Sequence, residues 1–182
     1  MKSIILLSGG IDSSSCVKFY LDLNYEVECI FCNYGQPAAV RELQAARAVS
    51  KYFSVNLHRI KTTSVCIPKS GEICGRNALL VFQALCFKGL GTYKIILGIH
   101  TGTNYADCSP RFLNEMNRIL DCYANGTICL EAPFLEWHKN NIVVYGKEKK
   151  IPFEKTYSCE VGGISPCDKC LSCIDRKEFL NE

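Results

Sequence analysis

The chain has 182 residues, 48% of them hydrophobic and 21% charged, which suits one sizeable soluble domain. A formal charge of +3 without a Lys/Arg block argues against a nucleic-acid surface. The apolar run after Met1-Lys2-Ser3 is too short for a signal peptide, and no run approaches a membrane span, so a soluble cytoplasmic protein without membrane association is expected.

Taken in order, Ile4, Ile5, Leu6 and Leu7 have the branching and length of a buried parallel strand, and Val17, Phe19, Tyr20, Leu21 and Leu23 can form the apolar face of a following helix. Residues 26–34 read as a second strand. Residues 37–53 read as a helix, with Ala38, Val40, Leu43, Ala46, Val49 and Phe53 on one broad face. A third strand (55–60), a loop (62–75) holding Pro68 and Gly71, a helix (77–87), a fourth strand (94–99), a helix (110–123) and a short fifth strand (127–130) follow. Residues 142–145 are strand-like by propensity, but the charge of 137–150 and the spacing of Ile142, Tyr145 and Lys149 favour a helix. This βαβα order predicts an α/β fold: a doubly wound, parallel, five-stranded sheet flanked by helices, in a single domain over 1–182.

Between the first strand and its helix stands Ser8-Gly9-Gly10-Ile11-Asp12-Ser13-Ser14. Adjacent glycines let backbone N–H groups approach a ligand, and the helix start adds free donors and a positive dipole end. A phosphate or pyrophosphate is the natural guest. A P-loop would need Lys-Ser/Thr where Asp12-Ser13 stands, and a dinucleotide fold would need a third spaced glycine. The plain alternative is an ordinary left-handed turn with a serine cap.

Thirteen cysteines are present. Nine are scattered singly, largely in apolar runs, and are expected to pack as small buried hydrophobes. The other four, Cys159, Cys167, Cys170 and Cys173, have the spacing C-x7-C-x2-C-x2-C beside Gly162, Gly163 and Pro166. In a reducing compartment that spacing reads as a closed, structural zinc site pinning a tail over 156–182; an iron–sulfur cluster or redox dithiols are the competing readings.

The Ser-Gly-Gly-x-Asp-Ser loop resembles the pyrophosphate loop of N-type ATP pyrophosphatases, with their adenine nucleotide alpha hydrolase-like fold. Together with the cysteine cluster it resembles the QueC (7-cyano-7-deazaguanine synthase) family. Tyr34-Gly35-Gln36 with Glu42, Gly75-Arg76-Asn77-Ala78-Leu79-Leu80, Tyr105-x-Asp107-Cys108, Lys139 and Thr156-Tyr157-Ser158-Cys159 extend the resemblance along nearly the whole chain. It implies an ATP-dependent ligase acting on 7-carboxy-7-deazaguanine. The carboxylate attacks the α-phosphate, pyrophosphate leaves, ammonia displaces AMP to give an amide, and a second adenylation gives the nitrile.

By the same resemblance Ser8, Gly9, Gly10, Asp12, Ser13 and Ser14 hold ATP, with Asp12 acting through Mg2+. Asp12, Lys139 and Arg76 are the implied catalytic residues, with Lys139 balancing phosphate charge, and Arg76, Asn77 and Asp107 lie near the deazaguanine or the developing acyl-adenylate. The plainer roles are a solvated lysine at a helix end for Lys139, an N-cap for Asn77, and for Asp107 a cap on the helix after Pro110. Cys108 is expected to pack. His58, His100 and His138 are dispersed, although His100, ending the fourth strand, is placed to face the crevice.

The stretch 98–108 departs from the family wording, and Ser109 stands where the family carries arginine. That departure opens an alternative in which an amine of a partner protein, as in phage-defence relatives, captures the acyl-adenylate in place of ammonia. Two further alternatives are a non-catalytic nucleotide-binding module and a sulfur-transferring relative using Cys16 or Cys32. The resemblance also implies a homodimer.

Overall fold

The computed structural model describes residues 1–63, 65–68, 72–103 and 105–180. Gly71 of the predicted loop and Asn104 of the rim lie outside them. The described chain runs β1 (Lys2–Leu6), α1 (Ile11–Asp22), β2 (Glu26–Asn33), α2 (Ala39–Tyr52), β3 (Asn56–Lys61), α3 (Arg76–Lys88), β4 (Tyr93–Ile96), α4 (Pro110–Ala124), β5 (Ile128–Glu131), α5 (Lys139–Glu148), a single 3-10 turn (Phe153–Lys155) and α6 (Leu171–Leu180).

All pairings are parallel and the strand order is β3-β2-β1-β4-β5. The chain moves outward from β1 to β3, then crosses back to β4. Its switch point therefore lies between the C-terminal ends of β1 and β4, where open parallel sheets bind ligands. The central strands are buried on both faces, so their side chains alternate between two cores. Ile4, Leu6, Ile30, Cys32 and Ile95 join α3 and α4 through Val81, Ala84, Leu85, Met116 and Leu120. Ile5, Leu7, Cys29, Phe31 and Ile96 join α1, α2 and α5 through Val17, Tyr20, Ala46, Val49, Ile142 and Val143.

Several predicted faces shift. The buried side of α1 is made mainly of small residues, Ser13, Ser14, Ser15 and Cys16, with Val17 and Tyr20, while Leu23 lies beyond the helix and is exposed. Small side chains let the helix start approach β1 and β4 closely. Ser15 satisfies its hydroxyl by donating to the Ile11 carbonyl, a back-bond that costs the helix little. In α2, Val40 is exposed and the buried face is Ala45, Ala46, Val49 and Ser50, because the helix starts at Ala39 and turns Val40 to solvent.

Residues 139–148 are helical despite their β-branched run. Ile142 and Val143 are buried, and Gly146 leaves room for the Phe153 ring, on which a Cβ would sit 2.1 Å from Cζ. The C-terminal helix α6 was not expected: Phe179 and Leu180 pack against the second core, so the tail has more apolar anchorage than its cysteines alone.

The burial expected for the nine scattered cysteines holds for Cys16, Cys29, Cys32 and Cys108 only. Cys66, Cys74, Cys86 and Cys122 are exposed and Cys129 is half-buried. The first two lie in the β3–α3 connection, and Cys86 and Cys122 fall on the solvent sides of amphipathic α3 and α4.

Candidate active site

β1 ends at Leu6, and the next residues form a cradle. Gly9 adopts φ +85°, and a Cβ there would lie 2.7 Å from the Glu42 carbonyl oxygen and 2.8 Å from the Ala46 nitrogen, so only glycine fits between loop and α2. The Gly10 N–H donates to Ser8 Oγ at 3.3 Å, and Ser8 Oγ lies 3.0 Å from Ser13 Oγ. No side chain caps α1, which leaves its first-turn amides and positive dipole end for a ligand. The serine-cap alternative therefore does not hold. Ser14 turns away: it is fully buried, its hydroxyl donates to the Gly10 carbonyl at 2.7 Å, and it does not line the cleft. Gly9 likewise shapes the loop from behind.

The cradle opens into a cleft of about 670 Å³, within the range of small-molecule sites. Lys139, at the start of α5, reaches across and donates to both Asp12 carboxylate oxygens at 2.6 and 2.7 Å. Their side chains are 15% and 21% exposed. Lys139 is thus an ion-paired cleft residue and not a solvated helix end. A Cβ on Gly98 would lie 2.6 Å from Ser13 N, which shows how tightly the end of β4 is pressed against the loop. Two residues later His100 lines the cleft, nearly buried. Burial lowers the basicity of its imidazole, with Asp12 pulling it up, Lys139 pushing it down and Asp175 pulling it up, and the result is a lowered pKa.

The opposite wall carries Tyr34, Gln36, Glu42, Arg76 and Asn77. Burial pushes the Glu42 carboxyl up, while Gln36, donating from Nε2 at 2.8 Å, and the nearby Arg76 cation oppose it. Asn77 is no N-cap: α3 is entered through Gly75 at φ +73°, and Asn77 lies inside the helix. Its N–H donates to Asp107 Oδ2 and its Nδ2 to the Asp107 carbonyl, both at 3.1 Å. Asp107 thus serves the start of α3. The cap of α4 is Ser109, which accepts from the Phe112 N–H. Asp107 is buried and does not line the cleft, so of the three residues expected near the deazaguanine only Arg76 and Asn77 face it. Cys108 packs in the core as expected. Burial pushes Cys32 up to about 12 and Cys16 well above its ordinary value, so neither is a thiolate suited to sulfur transfer.

The four clustered cysteines lie against this site. Their sulfurs are all within 4.8 Å of one another, with Cys167 Sγ and Cys173 Sγ 3.9 Å apart. A tetrahedron with Zn–S near ~2.3 Å has edges of about 3.8 Å, so the set can hold a metal ion. Burial raises the Cys159 thiol, but N–H groups of Cys167 and Val161 outweigh it and bring it to about 6. Burial and the neighbouring sulfurs hold Cys173 up at about 12. Four sulfurs this close cannot all ionise unaided, and a dication would supply the charge that lets them. The tail is fastened to the cradle by the Tyr157 N–H, which donates to the Gly9 carbonyl at 2.9 Å, and α6 is tied back to the start of the tail and the 3-10 turn by Arg176, which donates to Thr156 and Phe153. Tyr157, Glu160, Asp175 and Arg176 all line the cleft. Spacing marks only the cysteines of the tail; Glu160, Asp175 and Arg176 leave no pattern in the sequence.

An open parallel sheet, with a Ser-Gly-Gly-x-Asp-Ser cradle at its switch point and a charged cleft above it, defines an α/β enzyme of the PP-loop type. The family profile described as "Queuosine biosynthesis protein QueC" matches residues 2–70 and 67–182, and the chain belongs to that family. Relatives named 7-cyano-7-deazaguanine synthase are 32% identical in Prochlorococcus marinus (99% of this chain, 93% of that one), 31% in Desulfitobacterium hafniense (100% and 89%) and 29% in Oceanobacillus iheyensis (100% and 94%). Among solved structures, NMN synthetase from Francisella tularensis superposes with a TM-score of 0.52 at 11% identity, covering 100% of this chain and 77% of that one, which shows a shared fold. Among the described residues no helix is long and apolar enough to cross a membrane.

Proposed function

We propose that this chain is an ATP-dependent ligase that adenylates the carboxylate of 7-carboxy-7-deazaguanine, releases pyrophosphate, and delivers nitrogen to the activated acyl carbon, giving the amide and then 7-cyano-7-deazaguanine. The observation that carries the reading is the Asp12–Lys139 pair set at the mouth of an uncapped helix start, within a cleft large enough for both substrates.

The α1 amides, the Gly10 backbone and the hydroxyls of Ser8 and Ser13 hold the departing pyrophosphate, and Lys139 offsets the charge that grows on the phosphates. Arg76, on the facing wall, steers the substrate carboxylate toward the α-phosphate. Such catalysis is chiefly positioning and charge stabilisation, and no covalent nucleophile is required. Asp12 is the cradle carboxylate facing the cleft and would hold Mg2+, which neutralises phosphate charge. Cys159, Cys167, Cys170 and Cys173 would hold Zn2+, which orders the tail and with it Tyr157.

A second reading is favoured by the rim. Asp107 is withdrawn into the α3 cap, and the acidic residues left on the tail side of the cleft are Glu160 and Asp175. They would hold the cationic amine of a partner protein, such as a phage-defence target, as the acceptor. Mass spectrometry of a reaction with ATP, Mg2+, 7-carboxy-7-deazaguanine and ammonium separates the two. Nitrile product supports the synthase; AMP without nitrile moves the acceptor to a protein amine. We infer a homodimer for the working enzyme, which sedimentation checks.

A further inference from the structure

His100 is an imidazole that the fold buries without giving it work. Its residue is 8% exposed, its Nδ1 is buried with no hydrogen-bond partner, and Nε2 has no partner among the described residues either. A structural histidine at such burial is normally held by at least one hydrogen bond. Gly102 folds over the ring so closely that a Cβ there would lie 2.8 Å from Nδ1. Among the described residues the ring is therefore held by packing alone, and Nε2, the nitrogen that is not enclosed, is the one open to the cleft that His100 lines.

Resting on the adenylation reading, the reaction has one proton step to which no other group has been assigned. An amine or ammonium acceptor must lose a proton before its lone pair can attack the acyl-adenylate. Apart from Asp175, the lysine and the carboxylates along the cleft are already engaged. Lys139 and Asp12 are bonded to each other, Glu42 accepts from Gln36, Glu160 accepts from Ser172, and Asp107 is tied to Asn77 outside the cleft. Asp175, on α6, acts on the imidazole through its charge and favours the cationic form, which helps the ring accept a proton. Asp12 on α1 does the same, and Lys139 on α5 opposes them.

We propose that His100 Nε2 is the general base that takes the proton from the attacking nitrogen. The freed lone pair forms the C–N bond, the acyl C–O bond to AMP breaks with its electron pair on the phosphate oxygen, the second proton that the nitrogen sheds as it becomes an amide passes to water, and the imidazolium returns the first to solvent. No step needs an oxidant or reductant.

The test uses the full-length protein and His100→Gln, compared in two half-reactions. ATP–pyrophosphate exchange dependent on 7-carboxy-7-deazaguanine reads adenylation; product formation from ammonium reads transfer. The expected result is transfer slowed about 100-fold or more, with exchange changed less than about threefold. Hydroxylamine, which is already unprotonated at neutral pH, should restore transfer in the variant. A base is dispensable for that acceptor, whereas a packing defect would not be rescued by it. His100→Asn serves if the first variant melts far below the parent. Equal losses in exchange and transfer would overturn the proposal in favour of a phosphate contact, and failure of hydroxylamine to rescue would overturn it in favour of packing. If the parent protein shows no exchange, the adenylation reading itself falls and this proposal with it.

Discussion

Gly9→Ala isolates the backbone fit that shapes the cradle. Gly9 is at φ +85°, where a Cβ-bearing residue costs roughly 1–2 kcal/mol, and the added carbon would lie 2.7 Å from the Glu42 carbonyl oxygen and 2.9 Å from Ala45 Cβ. Those neighbours belong to α2, so relief requires a shift of backbone, at a further ~1–3 kcal/mol. The sum, about 2–5 kcal/mol, lowers the melting temperature of a chain this size by on the order of 10 °C. Gly10→Ala is the control. Its Cβ would meet Ser8 Oγ at 3.5 Å and the Tyr157 carbonyl at 3.8 Å, ordinary contacts at φ −80°. Loss of stability there should stay below about 1 kcal/mol, the difference between glycine and alanine as N-cap. Thermal and urea denaturation of the two variants side by side provide the assay. A Gly9→Ala protein as stable as Gly10→Ala would refute the packing argument.

Lys139→Met should lower kcat by about 10²–10³ while changing stability by no more than about 1 kcal/mol, because the pair it breaks is partly solvated; steady-state AMP release and a melt check both halves. Glu28 holds Lys88 at 2.7 Å, Lys2 at 3.0 Å and His58 at 3.1 Å, and its carboxyl is drawn down from 4.5 to about 2, first by Lys88. A depressed carboxyl stabilises the fold above its unfolded value and loses that contribution as pH falls through the folded one. Glu28→Gln should therefore be less stable at pH 7 and escape roughly 3 kcal/mol of the parent's loss between pH 4.5 and about 2, read by urea denaturation across that range. Identical acid profiles would refute it. Cys159→Ser should abolish stoichiometric zinc in elemental analysis and make the tail after Thr156 sensitive to protease, since its anchorage to Gly9 depends on an ordered Tyr157.

The architecture was legible because buried parallel strands carry a strong signal. Ile4 to Leu7 and the alternation of strands with helices fix a doubly wound sheet, and the glycine pair marks its first crossing. The cradle could be read for the same reason: Gly9 and Gly10 are demanded by backbone geometry, which leaves a residue-type signature. Charge partners across the fold leave none. That Lys139 meets Asp12 over 127 positions, or that Asp107 bonds Asn77 over 30, is decided by tertiary placement. The α1 face differs from its periodicity because helical spacing scores Leu23 above Ser14, whereas close approach to the end of β4 selects small side chains. α6 was hidden because Leu171, Ile174, Phe179 and Leu180 are diluted among charges and ligand cysteines. His100 was visible only as a residue ending a strand; its lack of partners is a property of the folded chain.

In the proposed reaction a substrate carboxylate oxygen attacks the α-phosphate of ATP in this cleft. Supplying 7-carboxy-7-deazaguanine labelled with ¹⁸O in its carboxylate and analysing the AMP by mass spectrometry tests that attack directly. The label should appear in AMP, with the pyrophosphate unlabelled. Unlabelled AMP, formed at the same rate as product, would contradict it.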